Sequence, residues 1–191
     1  MALWATALCA AEVPSQTFSI NSATVGVTAL GEVQKVYGTA EPVRVSKEEE
    51  ADVAICYMHS STKGESFLVF ESGIMGGYKD ITGFRISTIR PSINCVATKI
   101  DVSTLATDNG VRLGQSLEDF KKTVPVMFAY HGSRLAYEAV GRRPATQEEL
   151  KMLRSKWPKT MQNYFDVSTN IEAEFLGNRL VDFYIRKIES Y

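Results

Sequence analysis

The strongest pattern in this sequence is a long alternation of apolar and polar residues near its end, over residues 168–190. The letters read STNIEAEFLGNRLVDFYIRKIES, with Gly177–Asn178 in the middle. Alternation with a period of two predicts strands with one buried and one solvated face, and a Gly-Asn pair favours a tight turn between them. The pattern therefore predicts a long β-hairpin. Its predicted buried side chains are Ile171, Ala173, Phe175, Val181, Phe183 and Ile185.

The first half of the chain predicts an antiparallel meander of three further strands. These strands cover residues 53–60, 66–72 and 81–89. In the first of them Val53, Ile55 and Tyr57 alternate with residues of the opposite face. A short turn rich in Ser, Thr and Gly separates the first two strands, and a longer glycine-rich turn precedes the third. Two shorter strands are expected on either side of the His131–Gly132–Ser133 turn.

Three helices are predicted from helical apolar spacing and from their end signals. The segments are 28–37, 117–124 and 146–157. Gly38 can adopt the left-handed conformation that ends the first helix. Ser116 with Asp119, and Thr146 with Glu149, have the spacing of a capping box at the start of the other two. The third helix is expected to carry one apolar stripe, formed by Leu150, Leu153 and Trp157, and to end before Pro158.

The order of elements is similar in the two halves, since in each a helix precedes antiparallel strands. This order predicts the α+β fold class, as a tandem repeat of a helix packed on an antiparallel sheet. Residues 12–104 are expected to form the first unit and residues 105–191 the second. The helix near residues 146–157 is then an insertion in the second unit.

The helix entrance at residues 110–124, GVRLGQSLEDFKKTV, resembles a known motif, and a fainter version occupies residues 22–38. It is similar to the entrance of BamE-like units, which are small outer-membrane assembly lipoproteins, and of the secreted β-lactamase inhibitory proteins. The resemblance implies a helix packed on an antiparallel sheet, twice in tandem in the inhibitory proteins. It carries over no binding residue. Cys56–Tyr57 and the stretch from Phe70 to Gly77 also resemble exported bacterial proteins, which implies no activity.

The N-terminal residues 1–11, MALWATALCAA, are small and apolar, and the chain turns polar at Glu12. This change is typical of a secretory signal and its cleavage site, so the segment is predicted to be a signal-peptide remnant of a periplasmic or secreted protein. A buried N-terminal strand or helix and a lipid-bearing Cys9 are the alternatives. Loss of the segment leaves two cysteines, which in an oxidising compartment predict a Cys56–Cys95 disulfide. Two separate thiols in a cytosolic protein are the alternative.

Patterns that would indicate catalysis, metal binding or a cofactor are weak. Ser60 and Lys63 have the S-x-x-K spacing but lie in a predicted turn, whereas that chemistry needs the serine at a helix start. His131 has no nucleophile and orienting acid beside it in the sequence. Glu172 and Glu174 share a strand face, as solvated strand residues do. The two histidines are isolated, and the glycine-rich turn lacks the G-K-[ST] of a phosphate cradle. No catalytic residue, metal ligand or cofactor is therefore predicted.

The net charge excludes some classes of partner, and the mixture of charged and aromatic side chains on the last hairpin favours a binding role. The net charge of −1 implies no bulk attraction to nucleic acid or anionic membrane, and no segment is an apolar run of roughly 18 residues. The chain is predicted to be an exported, non-catalytic binding module that presents a sheet surface to a protein or cell-envelope partner. The alternative is a small envelope hydrolase whose site is assembled from residues distant in sequence. The predicted binding residues are Tyr57, His59, Tyr130, Glu172, Tyr184 and Arg186.

Overall fold

The computed structural model describes residues 12–45, 52–62, 64–73, 78–156 and 162–190. The predictions for residues 1–11, for the turn at 74–77 and for the helix end at Trp157 and Pro158 lie outside these residues. The described α-helices are α1 Leu30–Tyr37, α2 Leu117–Thr123 and α3 Gln147–Lys156. The described strands are β1 Ser19–Ile20, β2 Ala23–Thr24, β3 Val43–Arg44, β4 Val53–Ser61, β5 Gly64–Ser72, β6 Gly83–Ser87, β7 Val96–Ala97, β8 Ala129–His131, β9 Arg134–Pro144, β10 Tyr164–Leu176 and β11 Arg179–Ser190.

One large sheet contains strands from both halves of the chain, in the order β3-β4-β5-β6-β11-β10-β9-β8, and all of these neighbours are antiparallel. The short β7 adds to β4 in parallel orientation. At the centre β6 pairs with β11, so that Phe84 lies opposite Ile185. The predicted fold class, a tandem repeat of helix-on-sheet units, is therefore wrong. The alternation of a strand marks its buried face but does not say which strand lies beside it.

The predicted strands of the first half are confirmed, with shifted ends. β4 and β5 form the expected hairpin, and Val53, Ile55 and Tyr57 lie on one face of β4. β6 is shorter than predicted, at Gly83–Ser87. In the second half β9 is longer than predicted, because all of it from Arg134 to Pro144 pairs with β10.

The predicted hairpin at the end of the chain is confirmed, with one irregularity. Gly177 and Asn178 both have positive φ, 56° and 63°, which is the conformation of a type I′ turn. Close to the turn, the register of the two strands shifts between Glu174 and Phe175 of β10. Val181 of β11 is the extra residue of the resulting bulge. Leu180, 1% exposed, joins the core in the place predicted for Val181. The prediction for Val181 is wrong, because alternation does not reveal a bulge.

A single apolar core lies between one face of the sheet and the helices α1 and α2. The ring centroids of Phe84 in β6 and Phe183 in β11 are 6.2 Å apart, and those of Phe183 and Phe120 in α2 are 6.0 Å apart. The two halves of the chain therefore share one core. We call this side of the sheet the core face, and its buried strand residues are Ile55, Tyr57, Leu68, Phe70, Phe84, Ile86, Leu135, Ile171, Ala173, Phe175, Leu180, Phe183 and Ile185.

The predicted capping box of α3 is confirmed, and that of α2 is formed in part, because the Asp119 carboxylate accepts from the Ser116 hydroxyl and not from the Ser116 amide. The Asp119 amide donates to Ser116 Oγ at 3.1 Å, and the Ser116 hydroxyl donates to Asp119 Oδ2 at 2.8 Å. At α3 the Glu149 amide donates to Thr146 Oγ1 at 3.2 Å, and the Thr146 amide donates to Glu149 Oε2 at 2.8 Å. These bonds satisfy amide groups that a helix start otherwise leaves without a partner, which is why the spacing is readable from sequence.

The first helix is shorter than predicted, and it does not bury all of Leu30, Val33 and Val36, the residues that helical apolar spacing predicts to be buried. α1 begins at Leu30, and Gly38 follows it with a φ of 106°, as the stop signal predicts. Leu30 and Val33 are buried, but Val36 is 53% exposed and Tyr37 is buried instead. The last turn of α1 therefore presents Tyr37 to the core.

The predicted disulfide is confirmed. Cys56 in β4 is bonded to Cys95, and their Cα atoms are 4.5 Å apart. Both belong to a small apolar cluster on the side of the sheet opposite the core face, where Ile93 and Cys95 pack on β4 and β5. Among the described helices none is long and apolar enough to cross a membrane.

Candidate binding face of the sheet

In the described part of the chain, the segment that carries Ile93 and Cys95 covers the side of the sheet opposite the core face over β4 and β5. Farther along, polar side chains of this side keep part of their exposure, with side-chain values of 36% for Arg85, 48% for Arg134 and 30% for Glu172. We call this region the open face. Its side chains, which the strand register places together, are Glu71, Arg85, Arg134, Glu138, Asn170, Glu172, Glu174, Asp182, Tyr184 and Arg186.

Two arginines connect the carboxylates of the open face. Arg134 Nη2 donates to Glu174 Oε2 at 3.0 Å, and Arg134 Nη1 lies 3.8 Å from Glu172 Oε2. The same Glu172 oxygen is 4.0 Å from Arg85 Nη2. Glu172 therefore lies between two guanidinium groups, and the charges follow one another across β6, β10 and β9.

Asp182 is the buried member of this group. It is 2% exposed, and its Oδ2 lies 3.7 Å from Arg85 Nη1, while its Oδ1 has no hydrogen-bond partner. Burial raises the pKa of this carboxyl above its ordinary value of 3.8, although Arg85 acts in the opposite direction. A buried carboxylate that is only partly paired is costly, because the lost hydration is incompletely replaced.

Tyr184 supports Arg85 instead of forming an exposed aromatic surface. It is 8% exposed, and the Arg85 guanidinium carbon lies 5.0 Å from the centroid of its ring. Its hydroxyl donates to Glu71 Oε2 at 2.8 Å. Burial, together with the neighbouring Glu71 carboxylate, raises the pKa of the Tyr184 hydroxyl above its ordinary value of 10.0. Cation–π contact and hydrogen bond thus orient Arg85 and Tyr184 together.

Arg186 and Asn170 lie directly opposite each other on β11 and β10. Arg186 Nη2 is 2.5 Å from Asp52 Oδ2, but its buried Nε has no partner, and neither has the buried Oδ1 of Asn170. With Asp182 Oδ1, these are the buried side-chain atoms without a hydrogen-bond partner in the described part of the chain. All three lie on the open face.

The structure brings together three of the six predicted binding residues. Glu172, Tyr184 and Arg186 lie on neighbouring positions of β10 and β11 on the open face. Tyr57 is fully buried in the core, where its hydroxyl donates to the Gly38 carbonyl at 2.8 Å. The prediction that Tyr57 belongs to an exposed surface is therefore wrong. The apolar-polar alternation is the same in the buried and the solvent-exposed parts of β4. The sequence alone therefore could not show that Tyr57 is buried.

The other two predicted residues lie apart from the open-face group. His59, on β4, has Nδ1 3.4 Å from the Thr98 carbonyl oxygen and Nε2 3.9 Å from Asp101 Oδ1. Tyr130 is 57% exposed on β8, where its hydroxyl is hydrogen-bonded to Lys121. β4 lies near one edge of the sheet, and β8 lies at the opposite edge. The predicted surface that joined these side chains is not formed.

Arg85 and Arg134 are open-face residues that the sequence analysis did not select. Arg85 does occupy a polar position in the alternation of β6, and that is a usable signal. Its contact with Glu172 arises only because β6 pairs with β11, which no local pattern encodes. Arg134 directly follows a hairpin turn, and its two carboxylate contacts depend on the register of β9 with β10.

A separate polar cluster fixes α3 against the sheet. Arg143 Nη2 donates to Glu149 Oε1 at 2.7 Å, and Arg143 Nε donates to Glu189 Oε2 at 2.6 Å. The guanidinium carbon also lies 4.5 Å from the ring centroid of Phe165. Hydrogen bonds from Arg143 lower the pKa of Glu149 to about 2. Because one arginine joins β9, α3 and β11, this cluster is structural.

The donor groups of the described residues do not converge on a metal site: no three or more His, Cys, Asp or Glu side chains are grouped so as to hold an ion. Comparison with protein-family models, with curated proteins and with solved structures finds no match for this chain. The resemblance of residues 110–124 to BamE-like units and to β-lactamase inhibitory proteins thus stays a prediction. Evidence on function comes from the open face.

Proposed function

We propose that this chain is an exported, non-catalytic binding module, and that its open face binds a protein partner that presents basic side chains. One observation carries the proposal. The buried side-chain atoms without a partner, Asn170 Oδ1, Asp182 Oδ1 and Arg186 Nε, all lie on the face that no described helix covers.

The energetic cost of such atoms supports a bound partner. A buried polar atom left without a hydrogen bond costs about 1–3 kcal/mol, and native structures contain few of them. Two of the three atoms are acceptors, in Asn170 and Asp182. Because these atoms lie beneath the surface of the face, a partner would recover part of this cost by displacing the side chains above them and donating hydrogen bonds to the two acceptors.

The charge of the face supports a basic partner. Six carboxyl groups lie on the open face or contact it, against three guanidinium groups, so that carboxyls are in excess by three. The carboxyls are Asp52, Glu71, Glu138, Glu172, Glu174 and Asp182, and the guanidinium groups are Arg85, Arg134 and Arg186. Complementary charge on a partner accelerates association and excludes partners of the wrong sign.

The arrangement supports binding over hydrolysis. Glu172 and Glu174 both contact Arg134, so that the two carboxyl groups are engaged in ion pairs within the chain. His131, the other catalytic candidate, is exposed on β8 and pairs with Arg134 of β9.

Export is supported by the Cys56–Cys95 bond, since disulfides persist in oxidising compartments outside the cytosol.

A site-specific photo-crosslinking experiment tests the proposal. A photoreactive amino acid replaces Ala136, a half-buried residue of β9 that faces Glu172 across the strand pair. The control carries the same amino acid at Val36, which is 53% exposed on α1, away from the sheet. In cells that naturally produce the protein, we expect a discrete crosslinked protein from position 136 and none from position 36.

Charge reversal then connects the crosslink to the open face. Glu172→Lys should remove the crosslink or reduce it severalfold, because it adds a positive charge where the partner is basic. The matched control is Glu118→Lys on α2, whose side chain is 80% exposed, and it should leave the crosslink unchanged. Equal crosslinking from both positions, no crosslink from position 136, or equal loss with both lysine variants would each contradict the proposal.

A further inference from the structure

One side of β9 lacks a partner strand over most of its length. β10 pairs with β9 along all of Arg134–Pro144, whereas β8 pairs only with residues 134–136. Within the described residues, positions 137–144 therefore have a neighbouring strand on one side only. Such an edge presents backbone donors and acceptors to any strand that can approach it.

The direction of the backbone groups along this edge follows from two hydrogen bonds. The Phe175 amide donates to the Ser133 carbonyl at 3.0 Å, and the Ala145 amide donates to the Asn163 carbonyl at 2.9 Å. Residues 133 and 145 therefore direct their backbone toward the β10 side. Because successive residues of a strand point in opposite directions and the register has no shift here, the even-numbered residues 138, 140 and 142 direct their N–H and C=O groups outward.

The side chains of these outward residues are Glu138, Val140 and Arg142, and all three are exposed. Val140 is 76% exposed, although it is apolar. Natural sheet edges are commonly protected by charges, bulges or covering segments. Here the apolar Val140 lies at the centre of the edge, with the acidic Glu138 on one side of it and the basic Arg142 on the other.

We propose that this edge pairs with the same edge of a second copy of the chain, as an antiparallel two-fold contact centred on Val140. In that register Val140 of the two copies lie opposite each other. Glu138 of each copy lies opposite Arg142 of the other, on the same side of the sheet. All outward N–H and C=O groups of the three residues form hydrogen bonds, since facing residues of an antiparallel pair exchange them in alternate positions. The edge is thus complementary to itself in charge and in hydrogen bonding.

Neighbouring registers are less favourable. A register centred one residue later sets Glu138 against Pro144, whose nitrogen has no hydrogen to donate. The proposed register sets Pro144 of one copy against Ala136 of the other, whose outward backbone groups already pair with Ala129 of β8, so the pairing is limited to residues 138–142. A register centred one residue earlier shortens the pairing further, because it sets Arg142 against Ala136. Arg142 contacts Asp166 at 2.9 Å but is 65% exposed, so that its other donors can reach a second carboxylate.

Space for the second strand exists on the core-face side of the edge. A groove of about 410 Å³ separates residues 12–18 from the outer part of β9. On this side the second copy would present Ala139 and Gly141, two small residues, at the centre of the contact, and Tyr137 and Arg143 toward its ends. Val13 and Phe18 line the groove that faces them.

Analytical ultracentrifugation of the full chain, from micromolar to millimolar concentration, tests the contact. We expect the wild-type protein to dimerise. Glu138→Arg and Arg142→Glu should each raise the dissociation constant by about tenfold or more, since each places like charges opposite each other twice per dimer. The double variant Glu138→Arg/Arg142→Glu should restore the wild-type value, because it exchanges the two charges.

Two further variants keep the test decisive. Glu118→Arg is the matched control on exposed α2 and should leave the dimer unchanged. Val140→Pro removes an outward N–H but no bond to β10, so the monomer should fold and the dimer should be lost. Monomer at every wild-type concentration, a dimer that survives Val140→Pro, or a double variant as weak as either single variant would overturn the proposal. Near-ultraviolet circular dichroism verifies folding in each case.

Discussion

Asp182 shows how a single residue connects burial, charge and stability in this protein. The alternation of β11 places it on a polar position, yet the side chains around it leave it 2% exposed. Its ionic contact with Arg85 does not reverse the effect of burial on its pKa. The sequence identifies the polar position. It does not reveal the burial, which depends on side chains from other strands.

We predict that Asp182→Asn changes the pH dependence of stability. The raised pKa means that the folded protein retains the proton to higher pH than the unfolded chain. The stability from this proton is present below the unfolded pKa, about 3.9, and is lost as pH rises through the folded value. The free energy of unfolding of the variant, relative to wild type, should therefore increase as pH rises from about 4 toward neutrality. Urea unfolding at a series of pH values measures it, and a difference that is constant with pH would contradict the assignment.

At the scale of elements, the junction between β6 and β11 determines the architecture. Gly83 begins β6 opposite Arg186, and a Cβ at this position would lie 2.7 Å from the Ile185 carbonyl oxygen and 3.3 Å from Arg186 Cα. Only glycine permits this close approach without a backbone shift. Gly83 lies within the strand predicted for residues 81–89, but the sequence contains no signal for the strand that packs against it.

Gly83→Ala should therefore destabilise the protein by about 1–3 kcal/mol, because the added methyl group forces β6 and β11 apart. Gly31→Ala in α1 is the matched control, since a Cβ there meets nothing within 4 Å. It should be neutral or stabilising by up to about 1 kcal/mol, through higher helix propensity. Chemical denaturation of both variants measures the difference, and equal stability would show that the junction tolerates the methyl group.

At the scale of the whole molecule, one core and one disulfide connect segments that are distant along the chain. Phe84, Phe120 and Phe183 come from different parts of the sequence and meet in that core. The Cys56–Cys95 bond closes a loop with a sequence separation of 39. The division into units at residue 104 stays a prediction from sequence, while the shared core indicates that both parts unfold together.

We expect the Cys56→Ala/Cys95→Ala variant to lose about 4 kcal/mol of stability, because the unfolded chain regains the entropy that the closed loop removes. Reduced wild-type protein is the control and should unfold at nearly the same denaturant concentration as the variant. Unfolding should remain a single transition by fluorescence and by circular dichroism. Unchanged stability after reduction, or separate transitions for the two halves, would contradict these expectations.

Sequence reasoning succeeded for features that depend on neighbouring residues. The helix caps at Ser116 and Thr146 and the Gly177–Asn178 turn need only residues a few positions apart, whose local hydrogen bonds or backbone angles are the same in many proteins. It failed for Val181 and Tyr57. A bulge moved the first of these out of register, and the second lies where α1 and β4 pack together.

By itself the sequence located the longer strands, the starts of α2 and α3 and the Gly177–Asn178 turn, and it predicted the pairing of Cys56 with Cys95, because period, cap spacing and cysteine count are local or countable properties. Only the tertiary structure decided that β6 pairs with β11 and that Arg85, Glu172 and Asp182 share one face. Strand partners are selected by the packing of whole faces, and any strand with a suitable alternation satisfies the local rules equally well. The open face and the outer edge of β9 exist only after that selection.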